Sequence, residues 1–256
     1  MLNKVSDEIL DRFRKVTSAT VYSAVWRLSA PSGQEWFASA NYQLCLMRGI
    51  KAFTPGKKLV GRAQTLRFLP ARPDLLKETR RGGDSPEYRA MAKCGPNDVL
   101  VVEAHTFDEY SCTMGNMKTR QLWHNNAQGL ITEGAIRDLD MISNDYGLAV
   151  FANNRSPAGN LPFLESFEEG KYVNVGGVLV MPGDVIIADH DGVVETVEDG
   201  LEICADIGFP IIVKAASGGG GRGMRMVEKE SDFENAYNAA QSEVPLAIVT
   251  TYFIFF

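Results

Sequence analysis

The stretch GNMKTRQLWHNNAQGLITEGAIRDLD, residues 115–140, decides the fold. Its first part predicts a helix from Met114 to Gly129, ending at a glycine that suits a left-handed cap. LIT at 130–132 indicates a short buried strand, and AIRDLDMI at 135–142 predicts another helix. A helix, a strand and a second helix in succession are typical of an α/β domain.

The same stretch holds two candidate binding elements. Gly115 lies at a predicted helix start, where free N–H groups and the helix dipole favour a carboxylate or another anion. Arg137 and Asp138 follow a buried strand, and ligands of α/β proteins collect at the carboxyl ends of strands. An arginine can clamp a carboxylate, and an aspartate with waters is a usual anchor for a magnesium-like cation. The residues alone leave open an ordinary capping aspartate beside a surface arginine.

The chain on either side continues the α/β pattern and then changes character. Before the stretch, the sequence predicts a helix capped by Ser6, a second from Thr17 or Ser18, a strand over Val60–Leu66, a helix from Pro86 and a strand over Val99–Glu103. LAVFA at 148–152 predicts another strand, and residues 171–197 form short apolar runs broken by turn sequences. A domain boundary is expected near residues 197–203.

Composition limits the function classes. Among 256 residues, 26 are basic and 32 acidic, a net charge of −6, which disfavours nucleic-acid binding. The four cysteines form no CxxC pair and the three histidines have no metal-ligand spacing, which favours a reduced cytoplasmic setting. The N-terminus lacks a signal-like apolar run, and the apolar tail is shorter than the roughly 20 residues of a membrane span. We expect no membrane partner.

Several stretches together resemble one family. LVGRAQTLRFLP, GDSPEYRAM, CGPNDVLVVEA, QGLITEGAIRDLD and VGGVLVMPGDVIIADHDGVV occur in the order found in the regulator of ribonuclease activity A (RraA) and the related 4-hydroxy-4-methyl-2-oxoglutarate/4-carboxy-4-hydroxy-2-oxoadipate aldolases. The resemblance covers about residues 5–196. It implies an α/β fold of the swivelling β/β/α type, assembled as a homotrimer or a hexamer with active sites at subunit interfaces.

The resemblance also implies a chemistry. The aldolase members are metal-dependent lyases that cleave a 4-hydroxy-2-oxo acid to pyruvate. In this chain Arg137 would contact the 2-oxo acid, Asp138 would anchor Mg²⁺ or Mn²⁺ through its water shell, and backbone N–H groups of Gly115, Asn116, Met117 and Lys118 would receive the pyruvate carboxylate. The reaction leaves pyruvate as an enolate, which a cation and an arginine stabilise, so oxaloacetate decarboxylation is expected from the same site.

Two departures from the family pattern keep a second hypothesis open. Asn116 occupies a catalytic position where the family typically has Asp or Glu, and an amide cannot accept a proton as a base. The helix that follows DGVV in the family is replaced here. A non-catalytic binding module, like the ribonuclease-regulating members, is therefore the alternative to the lyase.

The glycine-rich stretch AASGGGGRGMRMV at 215–227 belongs to a second resemblance. Residues 201–243 resemble the ATP-grasp domain of biotin carboxylases, in which a glycine hairpin covers the phosphates and a lysine reaches them from the preceding strand. The matching residues here are Lys214, Gly219, Gly220, Gly221, Arg222 and Gly223. We expect a truncated fragment whose site is vestigial and does not bind ATP. The predicted domains are 1–197, 198–244 and an apolar tail, 245–256, and binding of ATP through 201–243 is the third hypothesis.

Overall fold

A computed structural model describes residues 5–29, 45–104, 111–196, 211–214 and 224–227. The chain divides into two compact units, Met1–Leu201 and Glu202–Phe256. Among the described residues, no helix is both long and apolar enough to cross a membrane.

The first unit alternates helices and strands up to residue 155 and is then all β. Its helices are α1 Asp7–Phe13, α2 Ser18–Ser29, α3 Leu76–Thr79, α4 Pro86–Lys93, α5 Asn116–His124 and α6 Leu139–Met141, with 3₁₀ turns at Pro73–Leu75 and Gly82–Asp84 and a π turn at Ile142–Tyr146. Its strands are β1 Lys51–Ala52, β2 Leu59–Pro70, β3 Asp98–Glu103, β4 Cys112–Met114, β5 Gly129–Ile136, β6 Ala149–Arg155, β7 Leu164–Glu169, β8 Val173–Val175, β9 Val178–Val180, β10 Val185–Asp189 and β11 Gly192–Thr196.

Nine of these strands form one mixed sheet in the order β1-β6-β5-β3-β2-β10-β11, with β4 paired to β5 and β7 paired to β2. The central pairs β2–β3, β3–β5 and β5–β6 are parallel, whereas β10 and β11 add as an antiparallel hairpin. Helical crossovers between parallel strands and hairpins between antiparallel ones follow from connection length. The predicted change from α/β to a β-rich second half is confirmed.

The core lies on both faces of the central strands, because successive side chains of a strand point to opposite faces. On β3, Leu100 and Val102 belong to the cluster that packs with α4 and α5. Val99 and Val101 belong to a second cluster, which includes the small β8–β9 hairpin. All four side chains are fully buried. A strand covered on both faces shows a continuous apolar run, as VLVV does here.

Two helices predicted from the sequence need correction. The helix after residue 114 ends at His124 and not at Gly129; Asn126 takes the left-handed conformation, with φ 58°, and Gly129 instead opens β5. The helix predicted over 135–142 is wrong, because Ala135 and Ile136 continue β5 and pair with β4 and β6. Only Leu139–Met141 is α-helical there.

The described part of the second unit is a pair of strands, β12 Ile211–Lys214 and β13 Met224–Val227, joined antiparallel from Ile211 opposite Val227 to Lys214 opposite Met224. The two predicted strands of the glycine hairpin are therefore confirmed. Gly219 to Gly223 lie outside the described residues.

Candidate active site

Two parallel strands bring the predicted site residues together. β4 and β5 pair in parallel, with Met114 opposite Ile136. Gly115 directly follows β4 and Arg137 directly follows β5, so the two residues lie side by side at the carboxyl edge of the sheet. The backbone N–H of Arg137 donates to the carbonyl of Met114, 3.2 Å away, which holds this register at the exit. The sequence predicted Gly115 at a helix start and the Arg-Asp pair after a buried strand; Gly115 is the N-cap of α5, and the pair follows β5.

Gly115 leaves space here for the two site side chains. Its φ is −146° and its ψ −175°, an extended conformation that any residue adopts. A Cβ at this position would lie 3.0 Å from Cγ and Nε of Arg137 and 3.0 Å from Oδ2 of Asp138. Carbon atoms in optimal contact are about 3.5–4.0 Å apart. The missing side chain therefore lets the arginine and the aspartate pack directly against the start of α5.

The start of α5 already has one internal anion. Oδ2 of Asp138 accepts a hydrogen bond from the backbone N–H of Asn116 at 3.1 Å. The N–H groups of Lys118 and Thr119 donate to the carbonyl of Gly115. The N–H of Met117 is one of the first-turn donors that no intrahelical carbonyl reaches. The Met117 side chain is 74% exposed, so it leaves this end of the helix open.

Arg137 and Asp138 are both accessible from solvent. Their side chains are 45% and 37% exposed, and Nε of Arg137 lies 3.7 Å from Oδ2 of Asp138. Nη1 of Arg137 donates to the carbonyl of Pro157 at 3.3 Å, which steadies one side of the guanidinium. Asp138 has φ 59° and ψ 35°, the left-handed conformation, which is uncommon outside glycine. Backbone of this kind concentrates at functional sites, where the surrounding structure maintains it.

Arg137 separates two cavities. A pocket of about 210 Å³ lies on the Gly115 side and is lined by Tyr88, Cys112, Thr113, Met114, Gly115, Asn116, Met117, Lys118, Arg137, Gly159 and Asn160. A wider cleft of about 870 Å³ lies on the other side and is lined by Ile136 to Met141, Asn144, Asp145 and Arg155 to Pro157. The smaller pocket has the size of a small organic acid, and it is the one that contains the helix start.

The donor set suits a hydrated, hard cation. Oδ1 of Asp138 has no hydrogen-bond partner among the described residues, and Asp140 and Asp145 line the same wide cleft. Magnesium is commonly bound through one or two carboxylates while it keeps several waters. No group of three or more His, Cys, Asp or Glu side chains within the described ranges could hold a metal ion. Asp138 therefore fits a metal held largely through its waters and does not fit a closed protein cage.

Asn116 does not present a base. Its Nδ2 donates to Sδ of Met141 at 3.0 Å, so the amide bridges α5 and α6. Cys112, which lines the small pocket, donates its thiol to the carbonyl of Met114 at 2.5 Å. Burial raises the pKa of the Cys112 thiol despite the opposing effect of Arg137. A raised pKa keeps the thiol protonated and unreactive.

Several lining residues were not predicted from the sequence. Tyr88 comes from α4, and Asn160 and the Pro157 carbonyl come from the loop after β6. The Pro-, Gly- and Asn-rich composition of residues 153–162 was the available signal, because such loops at the carboxyl edge of a sheet often carry binding groups. Lys214 lies in β12, in the second unit, and the remaining predicted nucleotide-binding residues lie outside the described ranges.

The fold and this site define a mixed α/β protein with an anion-accepting helix start beside an exposed arginine–aspartate pair. Residues 5–195 match the RraA-like family, described as Aldolase/RraA, and the chain belongs to that family. It is similar to the crystal structure of Streptomyces coelicolor RraAS2, an unusual member of the RNase ES inhibitor RraA protein family. The TM-score is 0.64 at 25% identity, over 80% of this chain and 93% of that one.

A second match covers the other end of the chain. Residues 182–254 match the ATP-binding domain of the carbamoyl-phosphate synthase L chain. Over 71 residues, 28% of this chain, the sequence is 45% identical to biotin carboxylase of Nostoc sp.. Over 85 residues, 33% of this chain, it is 38% identical to acetyl-CoA carboxylase dmxL1 of Cryptosporiopsis sp.. These stretches span only 14% and 4% of the two carboxylases, so this end is an ATP-grasp fragment.

Proposed function

We propose that this protein is a divalent-metal-dependent lyase that cleaves a 4-hydroxy-2-oxo acid to pyruvate and also decarboxylates oxaloacetate. The observation that carries the proposal is the packing of Arg137 and Asp138 against Gly115 at the start of α5. This packing puts the Arg137 guanidinium, the Asp138 carboxylate and the N-terminus of α5 within one small site. All three are needed to hold a 2-oxo acid and to stabilise the charge that develops on it.

The chain's own groups divide the work as follows. The backbone N–H of Met117, in the first turn of α5, donates to the substrate carboxylate. The guanidinium of Arg137 faces the 2-oxo group and stabilises negative charge as the carbon–carbon bond breaks. Asp138 would hold Mg²⁺ or Mn²⁺ through water, and the bound cation supplies further Lewis-acid stabilisation of the same oxygen.

Asn116 affects the two reactions differently. Cleavage of a 4-hydroxy-2-oxo acid requires removal of the hydroxyl proton, and the amide of Asn116 cannot accept it. Loss of CO₂ from oxaloacetate leaves the pyruvate enolate without any such deprotonation. We therefore expect oxaloacetate decarboxylation to be the stronger activity of this chain, and Asn116→Asp to raise the aldolase activity relative to it.

The test measures pyruvate release from oxaloacetate and from 4-hydroxy-4-methyl-2-oxoglutarate with Mg²⁺ or Mn²⁺. Arg137→Met is expected to lower kcat/KM by about 100-fold or more, the usual cost of one transition-state charge donor. Arg120→Met, at an exposed position on α5, is the matched control. Failure of the wild-type protein to release pyruvate above the rate of the metal alone would rule out the lyase.

A second candidate is a non-catalytic regulator that binds a ribonuclease. The engagement of the Asn116 amide with Met141 favours it, because this position then contributes no acid or base. The similar Streptomyces protein belongs to a ribonuclease inhibitor family. Binding to an RNase E-type enzyme that persists in EDTA, together with no pyruvate release, would favour this function over the lyase.

Assembly and the second unit complete the proposal. We propose a homotrimer or hexamer, to be measured by light scattering, with a small 2-oxo acid as ligand and with neither nucleic acid nor membrane as partner.

We also propose domains at 1–197 and 198–244 and an apolar tail at 245–256. The matched stretches span only 4% and 14% of the two carboxylases, and we propose that this segment by itself does not bind ATP. Titration with MgATP is therefore expected to release no heat.

A further inference from the structure

We infer that the Lys118 side chain is the positioning residue of the small pocket, where it holds the pocket's walls in place without touching the substrate. The inference rests on the proposed function only in that the pocket is the substrate site. The ammonium group is largely buried, with the side chain 15% exposed. A buried ammonium is unfavourable unless it is paired and hydrogen-bonded.

The partners of Lys118 come from four elements around the pocket. Nζ lies 2.7 Å from Oε2 of Glu87 on α4, whose side chain is only 13% exposed. It donates to the carbonyl of Thr113 on β4 at 2.9 Å and to Oδ1 of Asn160 in the loop after β6 at 3.4 Å. It also lies 5.3 Å from the centre of the Phe68 ring on β2. Two of the three ammonium donors are therefore hydrogen-bonded, and Glu87 adds the opposite charge, although its Oε2 accepts no hydrogen bond from the described residues.

This arrangement makes the lysine unsuitable as a direct ligand and well suited to positioning. Its charge is compensated by Glu87, whereas Arg137 keeps an exposed guanidinium. Its hydrogen bond to the Thr113 carbonyl fixes the end of β4, which leads to Gly115. Its hydrogen bond to Asn160 fixes the loop beside Gly159. Tyr88, next to Glu87 on α4, lines the same pocket. Loss of the ammonium would therefore remove contacts to α4, β4 and the loop after β6 at the same time.

The obvious test is Lys118→Met, which keeps the length of the side chain and removes its donors. Lys93→Met is the matched control, because Lys93 on α4 pairs with Glu169 at 3.3 Å but is 58% exposed. The first readout is alkylation of individual cysteines by iodoacetamide in the full-length protein, followed by peptide mass mapping. Cys112 lines the pocket and is 3% exposed, and Cys45, 5% exposed, lies in the core cluster that includes residues of α1 and α2. The expected result is a rise of at least tenfold in the alkylation rate of Cys112 with no change at Cys45.

The second readout is steady-state kinetics with oxaloacetate. Lys118→Met is expected to raise KM at least tenfold, with a smaller change in kcat, and Lys118→Arg is expected to recover part of the loss because it restores the pair with Glu87. Equal acceleration at Cys112 and Cys45, or an unchanged rate at Cys112, would overturn the inference. If the wild-type protein has no lyase activity, the proposed function fails, while the alkylation rates still decide the role of Lys118.

Discussion

Gly115→Ala is the sharpest perturbation of the proposed site, because it adds one methyl group at the point where three site elements meet. The new Cβ would lie 3.0 Å from Cγ and Nε of Arg137 and from Oδ2 of Asp138. At this spacing the two side chains must move by a few tenths of an ångström. Because a displacement of about 1 Å in a catalytic group can cost about 100-fold in rate, we expect this smaller shift to lower kcat/KM by about tenfold.

The same substitution should have little effect on stability. The backbone of Gly115 is extended, so alanine adopts it without strain. The atoms that must move belong to partly exposed side chains, and the lower conformational entropy of the unfolded chain offsets part of the crowding by about 0.4–1 kcal/mol. The free energy of unfolding should therefore change by less than about 1 kcal/mol, a small effect for a buried position.

Two other glycines provide matched controls. A Cβ at Gly159 would lie at an ordinary 3.6 Å from Nη1 of Arg137, and a Cβ at Gly83 would meet nothing within 4 Å. The assay compares kcat/KM for oxaloacetate in the three alanine variants, with unfolding in urea measured in parallel. The reasoning is refuted if Gly115→Ala retains activity within twofold of the wild type, or if Gly159→Ala loses as much activity as Gly115→Ala.

Three further predictions concern stability. Burial, with a smaller effect of Asp184, raises the pKa of Glu195 from 4.5 to about 8. Between these values the native state binds more protons than the unfolded state, so the free energy of unfolding should fall as pH rises from about 4.5 to 8. Urea unfolding at pH 5 and pH 8 should show this fall, and Glu195→Gln should remove it. The Arg89 guanidinium lowers the pKa of Glu169 from 4.5 to about 2, so its contribution is present above pH 4.5 and is lost as pH falls towards 2; Arg89→Met should reduce the difference in unfolding free energy between pH 6 and pH 3. A chain ending at residue 200 should keep the circular dichroism and the lyase activity per mole of the full chain, because the three core clusters lie within residues 5–194; aggregation of the shortened chain would contradict this.

The elements that carry the candidate site were predicted only in part. Arg137 and Asp138 were expected near a ligand because ligands collect at the carboxyl ends of strands, and Gly115 because a helix start accepts anions. The helix predicted from Ala135 failed because its helical spacing of apolar residues was overridden by pairing of Ala135 and Ile136 in the sheet. Gly129 was misassigned because a glycine can end a helix or occupy a backbone of φ 152° equally well.

The walls of the pocket could not be predicted in the same way. Lys118 was a candidate for its backbone N–H, and nothing in its sequence neighbourhood indicates that its side chain meets Glu87 and Asn160. These partners lie 31 residues before and 42 residues after it, so the contacts depend on how α4 and the loop after β6 pack on the sheet. Sequence patterns report local periodicity, whereas these contacts depend on tertiary packing.

The backbone of Asp138 explains how two consecutive residues serve one site. In a strand that continued past Ile136, Arg137 and Asp138 would point to opposite faces of the sheet. The left-handed turn at Asp138 breaks this alternation, and both side chains then contact the position of Gly115. Asparagine tolerates this conformation about as well as aspartate. Asp138→Asn should therefore leave the unfolding free energy nearly unchanged and remove the carboxylate charge alone, so any loss of Mg²⁺-dependent activity would report the charge. If Asp138→Asn instead lowers the unfolding free energy together with the activity, Asp138 acts on the fold and not on the ligand.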